Sequence, residues 1–332
     1  MKINTSVIDG ITLKIKEFEK TTCIIAYEEG GYNSSIGGCR FQSYKNLDSA
    51  IADIILLVKS MSKKTKILNL SFNGGKSIII KNNNFPYKNY AIFLNELNGK
   101  YITGCDIGTY PEIMHKLSLH TKYVSGVSTK NSKKDYLSYF TALGAYECIK
   151  FMLLNILGKN ISKSLILIQG AGKVGSALAK IFIKNHIEFS ICDMNEIRTY
   201  SYLSNKKVTI VDTNAIYNSY DVLVPCASGN VVTAENVSDF SCKLICGPAN
   251  NQIENIEIEE TLNMNKIYYI SDFLVGCGGV FYAAQTYSNL NFSIKSLEKL
   301  LLKKLNKVLI ETFSKSIRKK INISESINNY LK

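Results

Sequence analysis

The stretch Leu165-Ile166-Leu167-Ile168-Gln169-Gly170-Ala171-Gly172-Lys173-Val174-Gly175 decides the fold. Its first residues are an apolar run of strand length. A tight turn follows, at Gly170, where a residue with a Cβ resists the backbone conformation. At Gly172 the missing Cβ lets a pyrophosphate approach the chain, and at Gly175 it lets a helix pack close to the strand. A helix is expected from about Val174 to Asn185, with its free N–H groups and positive dipole end turned toward an anion.

Working outward, Phe189 to Cys192 reads as a second strand that delivers Asp193. An acidic residue about 20 positions after the turn is what a dinucleotide fold uses to accept the ribose hydroxyls. A carboxylate also repels a 2′-phosphate, so the expected cofactor is NAD. Its expected contacts are Gly170, Gly172, Lys173, Val174, Gly175 and Asp193. Short apolar runs at Val208–Val211, Val222–Val224, Leu244–Cys246 and Ile267–Ile270 continue a βαβ rhythm. The fold class is therefore α/β, with a Rossmann-type domain over residues 136–304.

Residues 1–135 form a second α/β domain, mixing a strand at Thr22–Tyr27, a helix at Leu47–Met61, a strand at Ser77–Ile80 after a glycine turn, a helix at Asn89–Leu97 and a strand at Tyr101–Thr103. Tyr139–Leu157 is apolar and of helix length, and connects the two. After Ser288 the chain reads as helical, with Leu297, Leu300, Leu301, Leu305, Val308 and Leu309 forming a core-facing stripe. Residues 305–332 are expected to pack back on the first domain.

Composition narrows the classes. At 46% hydrophobic residues the chain has ample core and is not a disordered one. The net charge of +13 raises a nucleic-acid partner, but the basic runs are short (Lys63-Lys64, Lys133-Lys134, Lys303-Lys304, Arg318-Lys319-Lys320) and lack interleaved aromatics. No nucleic-acid partner is expected. Nine cysteines without a Cys-x-x-Cys motif read as reduced small hydrophobes rather than zinc ligands. With no leader-like apolar segment before Lys20 and no unbroken apolar run of spanning length, a cytoplasmic protein with no membrane partner is expected.

A dinucleotide fold names no substrate. In the first half, Lys64 and Lys76 stand near a helix end and after Asn73-Gly74-Gly75, and Asp106 lies in Thr103-Gly104-Cys105-Asp106-Ile107-Gly108-Thr109. Desolvation or a neighbouring ammonium turns a lysine into a base, and a carboxylate at a strand end suits proton transfer. Each also has a plainer reading, since most lysines are solvated surface groups and an Asp beside a Gly is usually a turn.

The motif order goes further. Gly37-Gly38-Cys39-Arg40-Phe41, Met61-Ser62-Lys63-Lys64, Asn73-Gly74-Gly75-Lys76 and Tyr101–Thr109 are followed by Asp221–Ala227, Gly247-Pro248-Ala249-Asn250-Asn251-Gln252 and Gly278-Gly279-Val280. In order and spacing these resemble the leucine/phenylalanine/valine dehydrogenase family, related to the glutamate dehydrogenases. The resemblance implies a substrate domain and a Rossmann domain flanking a cleft, a homo-oligomer (a dimer or larger), and NAD-dependent reversible oxidative deamination of an L-amino acid to a 2-oxo acid and ammonia. It implies that Lys64 holds the substrate carboxylate, Lys76 activates the attacking water and Asp106 passes protons. Gly38 would shape the pocket floor, with Met61 and Val280 beside it. Thr141 would contact the nicotinamide amide. Cys226, Ala227 and Asn251 would line the cofactor cleft, and Asn251 or Asn250 would reach the substrate amino group.

Where the related glutamate dehydrogenases bind a distal carboxylate with a lysine and a serine, this chain has Ile36 and Ala283. An unpaired carboxylate there is costly, so the expected substrate is hydrophobic, branched-chain or aromatic. Gly104, Ser125 and Ala283 are smaller than the residues of leucine-specific members, which favours a roomier pocket. The chain departs from the family at Asn69 and Asn73, which replace glycines, and at Gly276, which replaces an asparagine. A non-catalytic relative that senses or assembles through NAD or an amino acid is the competing reading, against which Lys76 is the strongest feature.

Overall fold

A computed structural model describes residues 3–18, 21–81, 84–127, 134–227, 229–288 and 293–332. Lys133 of the paired lysines lies outside the described residues. The chain divides into two compact units, Met1–Leu137 with Gly279–Leu297, and Ser138–Gly278 with Glu298–Lys332.

The first unit is a sheet built from β1 (Asn4–Ile8), β2 (Ile11–Phe18), β3 (Thr21–Glu28), β4 (Ser35–Ile36), β5 (Cys39–Gln42), β6 (Asn73–Ile80) and β7 (Tyr101–Ile102), with helices α1 (Leu47–Ile67), α2 (Tyr87–Glu96) and α3 (Pro111–Ser118). The order is β1-β2-β3-β6-β4-β7, with β5 also paired to β6. The β1–β2–β3–β6 part is antiparallel, whereas β4 and β5 run parallel to β6. Asn46 caps α1, accepting from the Ser49 N–H in a capping box. The α1 face carrying Ala50, Ile54 and Val58 packs on Ile11, Leu13, Ile24, Ala26 and Ile78 of the sheet.

Two expectations change here. The helix does not end at Met61 but runs to Ile67, so Lys64 sits inside its last turns and is buried. Asn73-Gly74-Gly75 is not a turn but the start of the buried strand β6. These glycines serve close packing instead. A side chain at Gly74 would strike the backbone of Ser62 on α1, and one at Gly75 would strike the Tyr101 ring. The β1–β2 hairpin, β4 and β5 were not anticipated, being short or polar on one face.

The second unit opens within α4 (Tyr136–Leu157), at Ser138, followed by β8 (Ile166–Gln169), α5 (Lys173–Lys184), β9 (Phe189–Cys192), β10 (Val208–Ile210), β11 (Val222–Pro225), β12 (Leu244–Ile245), α6 (Ile256–Met264), β13 (Tyr268–Tyr269) and α7 (Asp272–Val275). The strand order is β10-β9-β8-β11-β12-β13, every pair parallel. Numbered within the sheet this is 3-2-1-4-5-6, the doubly wound dinucleotide-binding order, whose ligand crevice opens beyond the carboxyl ends of its first and fourth strands. Here those are β8 and β11. Asp221 pins their other ends, accepting from Lys159 at 2.7 Å, the Leu165 N–H at 3.0 Å and Lys243 at 3.1 Å.

By length and composition α4 is apolar enough to cross a membrane. Half of that stretch is nevertheless buried in the protein, and Glu147 and Lys150 pair on it at 2.9 Å. It is a core helix of this unit. None of the nine cysteines is in a disulfide, and all but Cys105 and Cys226 are buried.

The chain ends on α8 (Gly278–Ser288), α9 (Ile294–Lys319) and α10 (Ile323–Asn328). Residues 305–332, expected to pack back on the first domain, group with the second unit. Phe313 stacks edge-on against Phe151 of α4, and Ser324 meets Ser271 at 3.1 Å. It is Gly279–Leu297 that joins the first unit, where Tyr282 packs on Tyr136 and Tyr287 on Phe72.

Candidate active site

In the first unit the site grows from β-strand register. Cys39 pairs with Ser77 on one side and forms a bridge with Cys105 on the other. The 37–41 segment therefore lies between β6 and the chain leading to Asp106, with the Cys39 N–H donating to Gly104 O at 2.8 Å and the Phe41 N–H to Ile107 O at 2.9 Å. Side chains alternate across a strand, so Gly38 and Arg40 share one face. Lys76, one position before Ser77, lies on the same side. Asp106 closes the group, with its Oδ2 2.7 Å from Lys76 Nζ and 3.1 Å from Arg40 Nε.

Asp106 is held at both ends. Its N–H donates to Thr109 Oγ1 at 2.8 Å, and that hydroxyl donates to Cys39 O at 3.0 Å, fixing the turn against β5. Gly108 supplies the left-handed residue the turn needs, at φ +75°. A Cβ at Gly38 would lie 2.8 Å from Asp106 Cβ, so only glycine leaves the carboxylate in place. Burial works to raise the Asp106 pKa, but Lys76 and Arg40 outweigh it and hold the carboxyl well below the ordinary carboxylate range. Asp106 is thus a carboxylate in an ion pair with Lys76, which is itself only 4% exposed.

Elsewhere in the first unit, Ile36 is fully buried in β4, in register with Gly74 and Ile102. Met61 is half-buried, one turn of α1 before the buried Lys64. Val280 and Ala283 are buried three residues apart on α8. Gly104 faces Ser125, with a Cβ at 104 falling 2.9 Å from Ser125 Oγ. Two of the three small residues are therefore neighbours. Asn69, at a family glycine, takes φ +48°, a left-handed conformation that asparagine tolerates better than most side chains.

In the second unit the glycine turn follows β8 directly. Gly170 has φ +100°, and a Cβ there would meet Ala227, just beyond β11. One at Gly175 would overlap Gly170 O. At Gly172 it would meet nothing, and no side chain caps α5 at this end. An uncapped helix start, with Lys173 and Val174 as its first residues and open space before it, fits a dinucleotide pyrophosphate. Asp193 accepts from the Ala171 N–H at 2.7 Å, which places its carboxylate beside this turn. The Arg198 guanidinium lies 3.5 Å from both its oxygens. Cys226 lies alongside Gly175.

Beyond β12, Asn251 takes φ +52°, its N–H donating to the Asp272 carboxylate. The fully buried Gln252 donates to Gly247 O and Ala249 O, tying the Gly247–Gln252 loop together. Asn250 sits in the same loop, against Gly229. Thr141 lies on α4, where Gly278 passes too close for a side chain.

The structure therefore brings Lys76, Asp106 and Gly38 together in one unit, and the turn, Asp193, Cys226 and Ala227 together in the other. Sequence reasoning did not single out Arg40, Asp53 and Tyr44, or Asp272 behind Asn251. Arg40 was legible, two residues from Gly38 on the same strand face. Nothing in the sequence ties Asp53, Tyr44 or Asp272 to these positions.

Comparison with known proteins agrees with this architecture. Residues 190–328 match the model of the glutamate/leucine/phenylalanine/valine dehydrogenase family. A phenylalanine dehydrogenase of Thermoactinomyces intermedius is 32% identical over 271 residues, 79% of this chain and 74% of the relative. The chain belongs to this family. A valine dehydrogenase of Streptomyces albus is 29% identical over 81% of the chain and 77% of its own length. The solved structure of L-tryptophan dehydrogenase from Nostoc punctiforme has the same fold, with a TM-score of 0.74 and 22% identity over 100% of this chain and 94% of that one. The protein is an amino-acid dehydrogenase, an oxidoreductase of the nicotinamide-using kind.

Proposed function

We propose that the enzyme catalyses NAD-dependent, reversible oxidative deamination of a hydrophobic L-amino acid, branched-chain or aromatic. The observation that carries this is the ion pair at 2.7 Å between the buried Lys76 and the partly buried Asp106, set beside a glycine that has no room for a side chain. A protein that only sensed its ligand would have no use for burying this pair at a desolvation cost.

Bound at the 170–175 turn, NAD would supply the acceptor for the hydride that leaves Cα. Lys64 holds the substrate carboxylate. Asp106, kept anionic by its cations, takes a proton from the substrate ammonium and returns one to the departing ammonia. Lys76 orients and activates the water that adds to the imine carbon. Asn251, its backbone fixed by Asp272, positions the amino group. Thr141 holds the nicotinamide amide. Asp193 accepts the ribose hydroxyls and disfavours a 2′-phosphate.

Ile36 and Ala283 leave a glutamate side chain without a polar partner. Gly104 and Ser125 are both small and pack directly against each other, and relatives are named for phenylalanine and valine. The enzyme is further proposed to be a cytoplasmic homo-oligomer with no nucleic-acid or membrane partner.

Incubation with NAD and a panel of L-amino acids at alkaline pH, followed by NADH absorbance, tests the reading. Turnover of phenylalanine, tryptophan, leucine or valine is expected. Absence of turnover by folded protein would overturn it, and a preference for glutamate would overturn the pocket argument.

A further inference from the structure

Arg40 has a geometry that the reaction as described does not use. It is buried, 9% exposed, yet its guanidinium binds two different carboxylates. Nε lies 3.1 Å from Asp106 Oδ2, and Nη1 lies 2.9 Å from Asp53 Oδ2. Asp53, on α1, is in turn fixed by the Tyr44 hydroxyl, which donates to the same Oδ2 at 2.6 Å. The chain of contacts runs from the surface loop at Tyr44, through α1 and β5, to the carboxylate beside Lys76.

We propose that Arg40 is a positioning residue for Asp106, locked by Asp53 and Tyr44, and that it sets the orientation and ionisation of that carboxylate independently of Lys76.

Three physical points support this. Oδ2 of Asp106 receives both cations, at 2.7 Å from Lys76 and 3.1 Å from Arg40. When Lys76 turns to a water or an imine, the second cation remains, and Asp106 stays ionised and in place. The guanidinium carries its donors in a rigid planar fork, and here Nε and Nη1 each take a different carboxylate. An ammonium can neutralise one of them but cannot bridge the same span in the same plane. Finally, Arg40 is paired rather than stranded. A buried cation with one partner removed is strongly destabilising, so Asp53 completes the arrangement by balancing the charge left over.

Among the described residues, Asp106 is acted on by Lys76 from β6, by Arg40 from β5 and by the Ile107 N–H of its own turn, with the Cys39 thiol and the Tyr101 hydroxyl within electrostatic range. Cys39 and Tyr101 are both pushed upward by burial, Cys39 to about 12, so they stay neutral through the range in which the enzyme works. Lys76 and Arg40 are the cations among them.

The proposal rests on the dehydrogenase reading for its kinetic consequence but not for its structural one, and two measurements separate these. The first is titration of the Asp106 carboxyl by carbon NMR in wild type, Arg40→Met, Arg40→Lys, Asp53→Asn and Tyr44→Phe. Removing one nearby cation is expected to move the Asp106 titration up by about one pH unit or more in Arg40→Met. Arg40→Lys should give a smaller rise, and Asp53→Asn or Tyr44→Phe a smaller one still. The second is the pH profile of kcat/KM with the best amino-acid substrate. Its acidic limb should move in the same direction and order, with kcat falling more than KM rises, and with the Kd for NAD unchanged.

An unmoved Asp106 titration in folded Arg40→Met overturns the proposal. So does a loss of activity that tracks Tm while the acidic limb stays where it was, which is the signature of a structural role alone. If Arg40→Met does not fold, Asp53→Asn and Tyr44→Phe, which only loosen Arg40, carry the same test. If wild type turns over no amino acid, the dehydrogenase reading falls, and the NMR titration still decides the role of Arg40.

Discussion

Lys76 sits with its ammonium on Asp106, the lysine nearly cut off from water and the carboxylate partly buried. Removing either end leaves the other charge buried with one partner fewer. Lys76→Ala should lower kcat by about 10²- to 10⁴-fold, the usual reach of a positioned acid–base group, while the Kd for NAD, measured by calorimetry, stays within a factor of about two of wild type. At the other site Asp193 presents its carboxylate at the turn, held by the Ala171 N–H at 2.7 Å, with Arg198 close by. Asp193→Ser removes the group that accepts ribose hydroxyls and leaves the arginine. The ratio of kcat/KM for NAD over NADP should fall by at least about tenfold, the equivalent of one lost charged hydrogen bond. An unchanged ratio would remove Asp193 from cofactor selection.

Elements place these residues, and their packing can be tested in the same way. The site strand β6 is squeezed between neighbours by its glycines, and α9 is seated by Leu301, Leu305 and Leu309, all fully buried. Leu301→Ala should cost about 2–5 kcal/mol by denaturant titration, with the pH profile of the surviving activity unmoved. The parallel sheet of the second unit is pinned at its amino-terminal side by Asp221. Burial works against this carboxylate, but Lys159, the Leu165 N–H and Lys243 outweigh it and hold its pKa below the ordinary value of 3.8. A folded-state pKa below the unfolded one adds stability above the unfolded value, and that stability fades as pH falls through the folded value. Asp221→Asn should therefore lower Tm most at neutral pH. The gap to wild type should close below about pH 4.

For the whole molecule, the edge strand β1 is exposed along its full length and borders the larger sheet. An edge with unpaired backbone groups invites pairing with another strand. Light scattering should give the mass of a dimer or larger assembly, and Thr5→Pro, which adds a break in that edge, should shift it downward if assembly uses β1. A wild-type monomer at micromolar concentration would refute the oligomer.

How much of this was legible in the sequence follows the range of the interactions involved. The turn from Gly170 to Gly175, its strand, its helix and Asp193 are local: each needs only neighbours in the chain, and each stands where the pattern placed it. So do the strands that make up the 3-2-1-4-5-6 sheet. Lys64, Lys76 and Asp106 were picked out by motif order, but their setting was not. Gly74 and Gly75 read as a turn because glycine is ambiguous by itself, and only the backbone of Ser62 and the Tyr101 ring show that the need was for close packing within a strand. The apolar stripe of α9 likewise announces a buried face without saying what covers it, since hydrophobic burial has no direction of its own. The sequence by itself determined that this protein carries a dinucleotide turn and the residues of an amino-acid dehydrogenase. Only the tertiary structure decided that Gly279–Leu297 returns to the first unit while Glu298–Lys332 stays with the second. It alone decided that Arg40, Asp53 and Tyr44 converge on Asp106. Both outcomes depend on contacts between residues far apart in the chain, which the local pattern of side chains does not encode.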